Sequence, residues 1–411
     1  MVVQSLAGRT RERETVSNRP DASRGKIVAI RADASLEIGT GHIMRCLTLA
    51  RALRDAGAEC HFLCREHPGN LIDMIQADGF VVHRLPRGQR EDPSQSSPDR
   101  ENNWEVDHEI QPSGSRGLSE HADWLGVHWQ ADARACRTIL EGLAPDWLIV
   151  DHYALDACWE AAVLPQGTRL LVIDDLADRP HIANILLDQN LGRRAADYEG
   201  LVPENCQLLI GPRYALLRPE FAAWREPSLK RRHTPQIRHL LITLGGVDQD
   251  NITGRVLEVL SQCSLPDNVQ TTVVMGATAP WLDNVRAKAG WMPWPTEVAV
   301  NIDDMARRMA EADLAIGAAG STSWERCCLG LPTVMVALAE NQVAIAHHLD
   351  EARAAICVGT TAMPTWAHQL GQVMEMILKD PTRLEVMTNH AAGLTEGLGA
   401  CTLVQHLLND D

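Results

Sequence analysis

Short apolar runs alternate with segments of helical spacing along nearly the whole chain, and the alternation starts over halfway. KIVAIRADA (26–34) reads as a strand, and 41–56 carries Ile43, Leu47, Ala50 and Leu53 at helical spacing. HFLC (61–64) and FVVHRL (80–85) read as strands around a helix in NLIDMIQADG (70–79). DWLIVDHY (146–153) and RLLVIDDLA (169–177) are continuous apolar runs, the kind that parallel sheets bury on both faces. The pattern resumes at RHLLITLGG (238–246), followed by a helix in NITGRVLEVLSQ (251–262). VQTTVVMGA, VAVNI, DLAIGAAG, PTVMVALAE and ICVG then alternate with further helices. Two successive βα series imply an α/β protein of two Rossmann-like, doubly wound domains facing a cleft. A length of 411 residues suits two or three domains.

The expected division is an N-terminal domain over 27–220 and a C-terminal domain over 235–396. The join falls in the Pro- and Arg-rich, weakly periodic stretch 215–235. A last helix near 397–409, within the terminal segment 397–411, can return to either domain. Residues 1–26 are basic with no apolar stretch behind them, so they read as a disordered tail or an over-long start and not as a secretory signal. Residues 87–121 hold three prolines, six serines, three glycines and eight acidic residues, and read as a flexible insertion.

Charge narrows the class of partner. Lys+Arg is 38 and Asp+Glu is 54, a net charge of −16, which speaks against nucleic acid and against an anionic membrane surface. No apolar run reaches the roughly 18 residues of a membrane helix. The 11 cysteines form no CxxC pair, and CHFLC reads as a strand, so buried thiols in the cytoplasm are expected and no zinc site.

Six places at strand ends carry candidate chemistry. Glu37–Arg45 (EIGTGHIMR) ends the first strand, where Gly39 and Gly41 let backbone approach a ligand and His42 opens the helix. A neutral imidazole there can accept a proton; it can equally be a histidine that only packs at a helix start. Gly317–Arg326 (GAAGSTSWER) offers backbone N–H groups and the hydroxyls of Ser321, Thr322 and Ser323 after Gly320, with Glu325 one turn in. That suits a diphosphate and a ribose, or a plain helix cap. No GxxxxGK[ST] motif is present, which counts against a P-loop NTPase. Gly245, Gly246, Asp248 and Asn251 form another glycine turn; Asn341 and Gln342 follow a strand, as do Asp151, His152 and Tyr153. Asp174–Asp175 is a weak metal pair.

RADASLEIGTGHIMRCLTLARAL, DWLIVDHYALD, VIDDLADRPH, LLDQNLG, GPRYALLRPEF, LGGVDQDNITG, GAAGSTSWERCCLGLPT and LAENQ together resemble one family. It is the UDP-2,4-diacetamido-2,4,6-trideoxy-β-L-altropyranose hydrolase family of pseudaminic acid biosynthesis. The resemblance spans roughly residues 27–345 and implies the GT-B fold. It implies hydrolysis of the anomeric C1–O bond with inversion, on a UDP-sugar and water, with no cofactor or metal. His42 would be the base and Tyr153 would line the sugar pocket. Gly39, Gly41, Gly245, Gly246, Asn251, Asn341 and Gln342 would border phosphates or sugar. Met275, Gly276 and Ile302 would lie beside the nucleotide, the GAAGSTSWE turn would hold diphosphate, and Glu325 the ribose. Some members carry Asn where this chain has Trp324. A monomer is expected. Rival readings are a glycosyltransferase of the same fold, a UDP-sugar 2-epimerase, and a non-catalytic nucleotide-sugar binder.

Overall fold

The computed structural model describes residues 25–88 and 121–409. The tail expected over 1–26 and the insertion expected over 87–121 fall, except for their edges, outside the described residues. The first sheet holds β1 (Ile27–Ala32), β2 (Glu59–Arg65), β3 (Val81–Leu85), β4 (Trp147–Asp151), β5 (Arg169–Ile173), β6 (Ile185–Asp188) and β7 (Gln207–Ile210). All its pairings are parallel, in the order β3-β2-β1-β4-β5-β6-β7. The second holds β8 (His239–Thr243), β9 (Gln270–Met275), β10 (Thr296–Val300), β11 (Leu314–Ala318), β12 (Thr333–Ala337) and β13 (Ile356–Thr360). It too is parallel, in the order β10-β9-β8-β11-β12-β13. In each sheet the order reverses beside the first strand, which opens a crevice at the carboxyl edge.

Helices cover both faces of both sheets. On the first sheet they are α1 (Gly41–Asp55), α2 (Ile72–Ala77), α3 (Trp129–Leu143) and α4 (Ala157–Val163). The second carries α5 (Pro219–Arg231), α6 (Ile252–Ser261), α7 (Leu282–Ala289), α8 (Met305–Glu311), α9 (Thr322–Cys328), α10 (Val343–Glu351), α11 (Trp366–Lys379) and α12 (Thr382–Ala392). The apolar side chains gather into four clusters, one on each face of each sheet. That is why the central strands read as unbroken apolar runs: β1 is buried at every position.

The stretch 215–235 is not the aperiodic linker that its composition suggests. It contains α5, begun by Pro219 at its first turn, where a missing N–H costs nothing. Buried Arg232 ties the end of α5 to the carbonyls of Met309, Ala310 and Ala312 at 2.9–3.1 Å. The chain changes domain at Ala215–Leu217: Leu216 packs in a core of the first sheet, and Ala215 and Leu217 on either side of it in a core of the second. The final helix, α13 (Gly399–Leu408), returns to the first sheet, where Ala400, Leu403 and Leu407 join the core beside α1. Trp147 Nε1 donates to Leu407 O at 2.9 Å. The two crossings touch, and a Cβ on Gly399 would lie 2.4 Å from Ala215 O.

A charged cluster holds the first domain under the carboxyl edge of β1. Arg31 donates to Asp132 Oδ2 at 2.9 Å and pairs with Asp33 Oδ1 at 2.7 Å. Arg65 Nη2 and Trp159 Nε1 also donate to Asp132, which sits on the buried face of α3. Burial alone would raise the Asp132 carboxyl; Arg31 and Arg65 outweigh it and bring it down to about 2. Asp132→Ala would leave the buried Arg65 guanidinium without a carboxylate and Arg31 with Asp33 alone, and we expect a loss of ~3–5 kcal/mol in denaturant unfolding. Because the folded value is depressed, this contribution is present above pH ~4 and is lost as pH falls toward 2. The wild-type stability curve should therefore be steeper than the variant's in that acid window.

Candidate active site

The carboxyl edges of the two sheets face a cleft of about 330 Å³. One wall comes from Ile38–His42, Arg45, Trp124, Tyr153, Asp175 and the loop Gln189–Arg193; the other comes from Ala319–Ser321, Trp324, Asn341, Gln342 and α10.

His42 is the second residue of α1, three residues before Arg45, so both side chains leave one face of the helix. Asp151, the last residue of β4, sits next to β1 in register with Ala32. His42 Nδ1 lies 2.7 Å from Asp151 Oδ1. Arg45 donates to both oxygens of the same carboxylate, Nε to Oδ2 at 2.7 Å and Nη2 to Oδ1 at 2.6 Å. Burial would raise the Asp151 carboxyl, but Arg45 and His42 outweigh it and hold it well below the usual range. An ionised Asp151 accepts the proton of His42 Nδ1, so the neutral ring carries its lone pair on Nε2. The third nitrogen of Arg45 reaches Asp175 Oδ2 at 2.7 Å. Tyr153 Oη donates to the same oxygen at 2.7 Å, and Asn190 Nδ2 to Oδ1 at 3.0 Å. Burial first, and then Asp175, push the Tyr153 hydroxyl well up, which keeps it a donor. Its ring meets His42 edge-on at 4.6 Å.

Of the residues singled out in the sequence, Gly39, Gly41, His42, Tyr153, Gly320, Ser321, Asn341 and Gln342 meet in this cleft. Thr322, Ser323 and Glu325 lie behind them on α9. Ser323 is buried, and its hydroxyl accepts from Arg326 Nη2 at 3.2 Å. Burial raises Glu325 to about 7 against the pull of Arg218 and Arg326. Gly245, Gly246, Asn251, Met275, Gly276 and Ile302 do not line the cleft. Met275 is a core side chain. Asp248 caps α6, accepting from Ile252 N at 2.8 Å and Thr253 N at 2.9 Å. Gly246 O takes the N–H of Gly276 at 2.9 Å, which joins those two turns.

The acidic pair Asp174–Asp175 diverges. Asp174 accepts from Ala177 N at 2.8 Å and Tyr198 Oη at 3.1 Å, well away from the bonds of Asp175. His152 turns from the cleft toward Asp33, with Nε2 at 3.4 Å from its carboxylate. Sequence reasoning did not assign roles to Asp151, Arg45, Asp175, Asn190 and Arg193. The available signal was position: Asp151 ends β4, Asp175 follows β5, Asn190 and Arg193 follow β6, and Arg45 stands in the second turn of α1.

Behind the Gly320–Ser321 turn lies Arg326. Its guanidinium is buried, and its hydrogen bonds go to neutral oxygens: Ala318 O at 2.6 Å, Ser323 Oγ at 3.2 Å and Thr322 Oγ1 at 3.4 Å. Burial brings it down to about 10. A Cβ on Gly317 would lie 2.4 Å from Arg326 Nη1, so the glycine makes room for this cation.

The sheet order, the paired domains and the cleft decide the architecture. The fold is GT-B. Over 93% of this chain and 99% of the other, it matches a crystal structure of Acinetobacter baumannii MurG with a TM-score of 0.65 at 16% identity. An Arabidopsis thaliana UGT89C1 structure complexed with UDP matches with a TM-score of 0.55 at 14% identity, over 93% of this chain and all of that one. Residues 239–400 match the glycosyltransferase family 28 C-terminal domain. The chain is similar to the UDP-2,4-diacetamido-2,4,6-trideoxy-β-L-altropyranose hydrolase of Campylobacter jejuni, 26% identical over 78% of this chain and 95% of that protein. It is 29% identical to the Bacillus subtilis spore coat polysaccharide biosynthesis protein SpsG, over 48% of this chain and 57% of that one. It is 24% identical to an uncharacterized protein of Methanocaldococcus jannaschii, over 75% of this chain. It spans little more than half the length of these last two relatives, 57% and 55%. Among the described residues, no helix of this GT-B chain is long and apolar enough to cross a membrane.

The Asp151 contact predicts the tautomer. Isotope-labelled histidine NMR should show neutral His42 protonated at Nδ1, with the signal assigned by its loss in His42→Gln. In Asp151→Asn the proton should shift toward Nε2 if the amide presents its oxygen to Arg45. An unchanged signal in Asp151→Leu, where no side-chain acceptor oxygen remains, would mean that Asp151 does not set the tautomer.

Proposed function

We propose that this GT-B chain hydrolyses the anomeric C1–O bond of UDP-2,4-diacetamido-2,4,6-trideoxy-β-L-altropyranose, with inversion, releasing UDP and the free sugar. The observation that carries the proposal is His42, held by Asp151 on one wall of a cleft whose other wall is the Gly320–Ser321 turn. Similarity to the Campylobacter jejuni hydrolase along nearly its whole length supports the choice of substrate. In this reading a water attacks C1 from the face opposite UDP, and His42 Nε2 takes its proton. The C1–O bond breaks, its electron pair stays on the diphosphate oxygen, and UDP leaves as an anion. Asp151 stabilises the imidazolium that forms.

The diphosphate lies against Gly320–Ser321, where Arg326 is a buried cation bonded to neutral oxygens. Such a charge is costly by itself, and an anion at the turn compensates it. Glu325 meets the ribose; Met275, Gly276 and Ile302 lie toward the base; Gly245, Gly246 and Asn251 border that end; Asn341 and Gln342 meet phosphate or sugar. The substrate is a small molecule in the cytoplasm, and the protein works as a monomer.

A second reading is favoured by the family 28 match: the same cleft passes the sugar to an acceptor hydroxyl instead of water. A proton-NMR time course with the altrose nucleotide, beside UDP-N-acetylglucosamine as a control, separates the two. The expected result is free sugar appearing first as the opposite anomer, from the altrose nucleotide alone. Turnover that appears only when an acceptor alcohol is added would replace the hydrolase with the transferase. His42→Ala should lose ~10²–10⁴-fold in turnover while still binding UDP.

A further inference from the structure

Among the described residues, two arginines line the cleft, and their bonding differs. Arg45 is almost closed off, its side chain 9% exposed, and all three of its nitrogens are committed to the carboxylates of Asp151 and Asp175. It is a positioning group for His42. Arg193 stands in the loop that follows β6, with its side chain 27% exposed. Its Nε donates to Asp188 Oδ2 at 2.9 Å and its Nη2 to the carbonyl of Asp175 at 2.9 Å. Those two bonds use one edge of the planar guanidinium. The end edge, formed by Nη1 and the second proton of Nη2, keeps the two parallel donors that suit a phosphate.

The loop also brings Arg193 to the domain boundary. Gly192 has φ +88°, and a Cβ there would lie 2.4 Å from the ring of His348 on α10 of the other domain. The neighbouring Leu191 packs against a core of the second domain. Arg193 is thus fixed to the first domain by two hydrogen bonds and held close to the second by its neighbours. Gly320 and Ser321 line the same cleft.

We propose that Arg193 is a catalytic residue that donates from its Nη1 edge to the diphosphate of the nucleotide sugar and stabilises the departing UDP. This rests on the nucleotide-sugar reading above, and adds that the anion is gripped from both domains. The turn of the second domain, backed by Arg326, meets one side of the diphosphate; Arg193 meets it from the first domain, beside the reacting C1. The charge that develops on the leaving oxygen then faces a donor already oriented by Asp188 and Asp175, which is how such groups lower a barrier. Asp188 is itself buried, and burial together with Asp175 pushes its carboxyl up to about 6.

The test is calorimetric titration of the full chain with UDP, at low and high salt, on wild type, Arg193→Lys and Arg193→Met. Because Arg193→Met strips the buried Asp188 carboxylate of its cationic partner, Arg193→Met combined with Asp188→Asn is measured as well, and each variant's folding is checked by thermal unfolding. We expect UDP affinity to fall ~10–100-fold in Arg193→Met and in the folded double variant, with a weaker salt dependence, and to recover partly in Arg193→Lys. Turnover should fall further than affinity, by ~10²–10³-fold. UDP affinity within twofold of wild type in the folded double variant would overturn the proposal. If UDP binds and depends on Arg193 but the altrose nucleotide is not hydrolysed, the hydrolase reading fails and the Arg193 assignment stands. If wild type does not bind UDP, both fail.

Discussion

The Asp151 carboxylate is the contact on which the rest of the site depends. It lies at the end of a central strand with no exposure to solvent, and it takes a bond from His42 and two from Arg45. An ionised carboxylate in such a place is costly unless its oxygens are filled. Here the same bonds that fill them also orient the histidine. Arg45 then carries the constraint onward to Asp175, and Asp175 to Tyr153 and Asn190. One ionised group therefore fixes side chains from α1 and the loops after β4, β5 and β6. Beneath them, the Arg31–Asp33–Asp132–Arg65 cluster anchors the edge of β1 from which the His42 loop departs.

The two-domain architecture does comparable work on a larger scale. The chain crosses at Ala215–Leu217 and comes back at Gly399, and the two crossings lie against each other. A pair of adjacent crossings restricts how one sheet can turn on the other more than a single tether would. The cleft brings side chains from one domain opposite a turn from the other, and the Gly192–His348 approach marks how near the two walls come.

The fold was legible because parallel strands buried on both faces spell themselves as apolar runs, and nearly every such run is a strand. The helix α5 was not legible: Pro219, Pro227 and its arginines look like a linker, yet Pro219 sits where a helix tolerates it and Arg232 is satisfied by distant carbonyls. The domain taken by α13 depended on a contact with Trp147 that no local pattern encodes. At the site, the first glycine loop and Tyr153 were readable from their places at strand ends. The bond from His42 to Asp151 was not, because 109 residues separate the partners. Gly245–Gly246 looks as site-like as Gly39–Gly41; what no local pattern encodes is that it abuts the Gly276 turn, while Asp248 caps α6.

The arrangement also bears on how much chemistry the protein must supply. Ordinary glycosidases place two carboxyl groups across the scissile bond, one of them carrying a proton for the leaving oxygen. Among the described residues, Asp175 at the cleft and Asp151 buried behind His42 are bridged by Arg45 and occupied as acceptors, Asp151 from His42 and Arg45, Asp175 from Arg45, Tyr153 and Asn190. Asp151 is held well below the range in which a carboxyl retains a proton near neutrality. A site built this way is poor at protonating an alkoxide and well suited to a leaving group that departs as a stable anion. A diphosphate is such a group. For the proposed reaction the demands would reduce to one base of fixed tautomer and cations near the departing oxygens, the roles proposed for His42, Arg193 and Arg326.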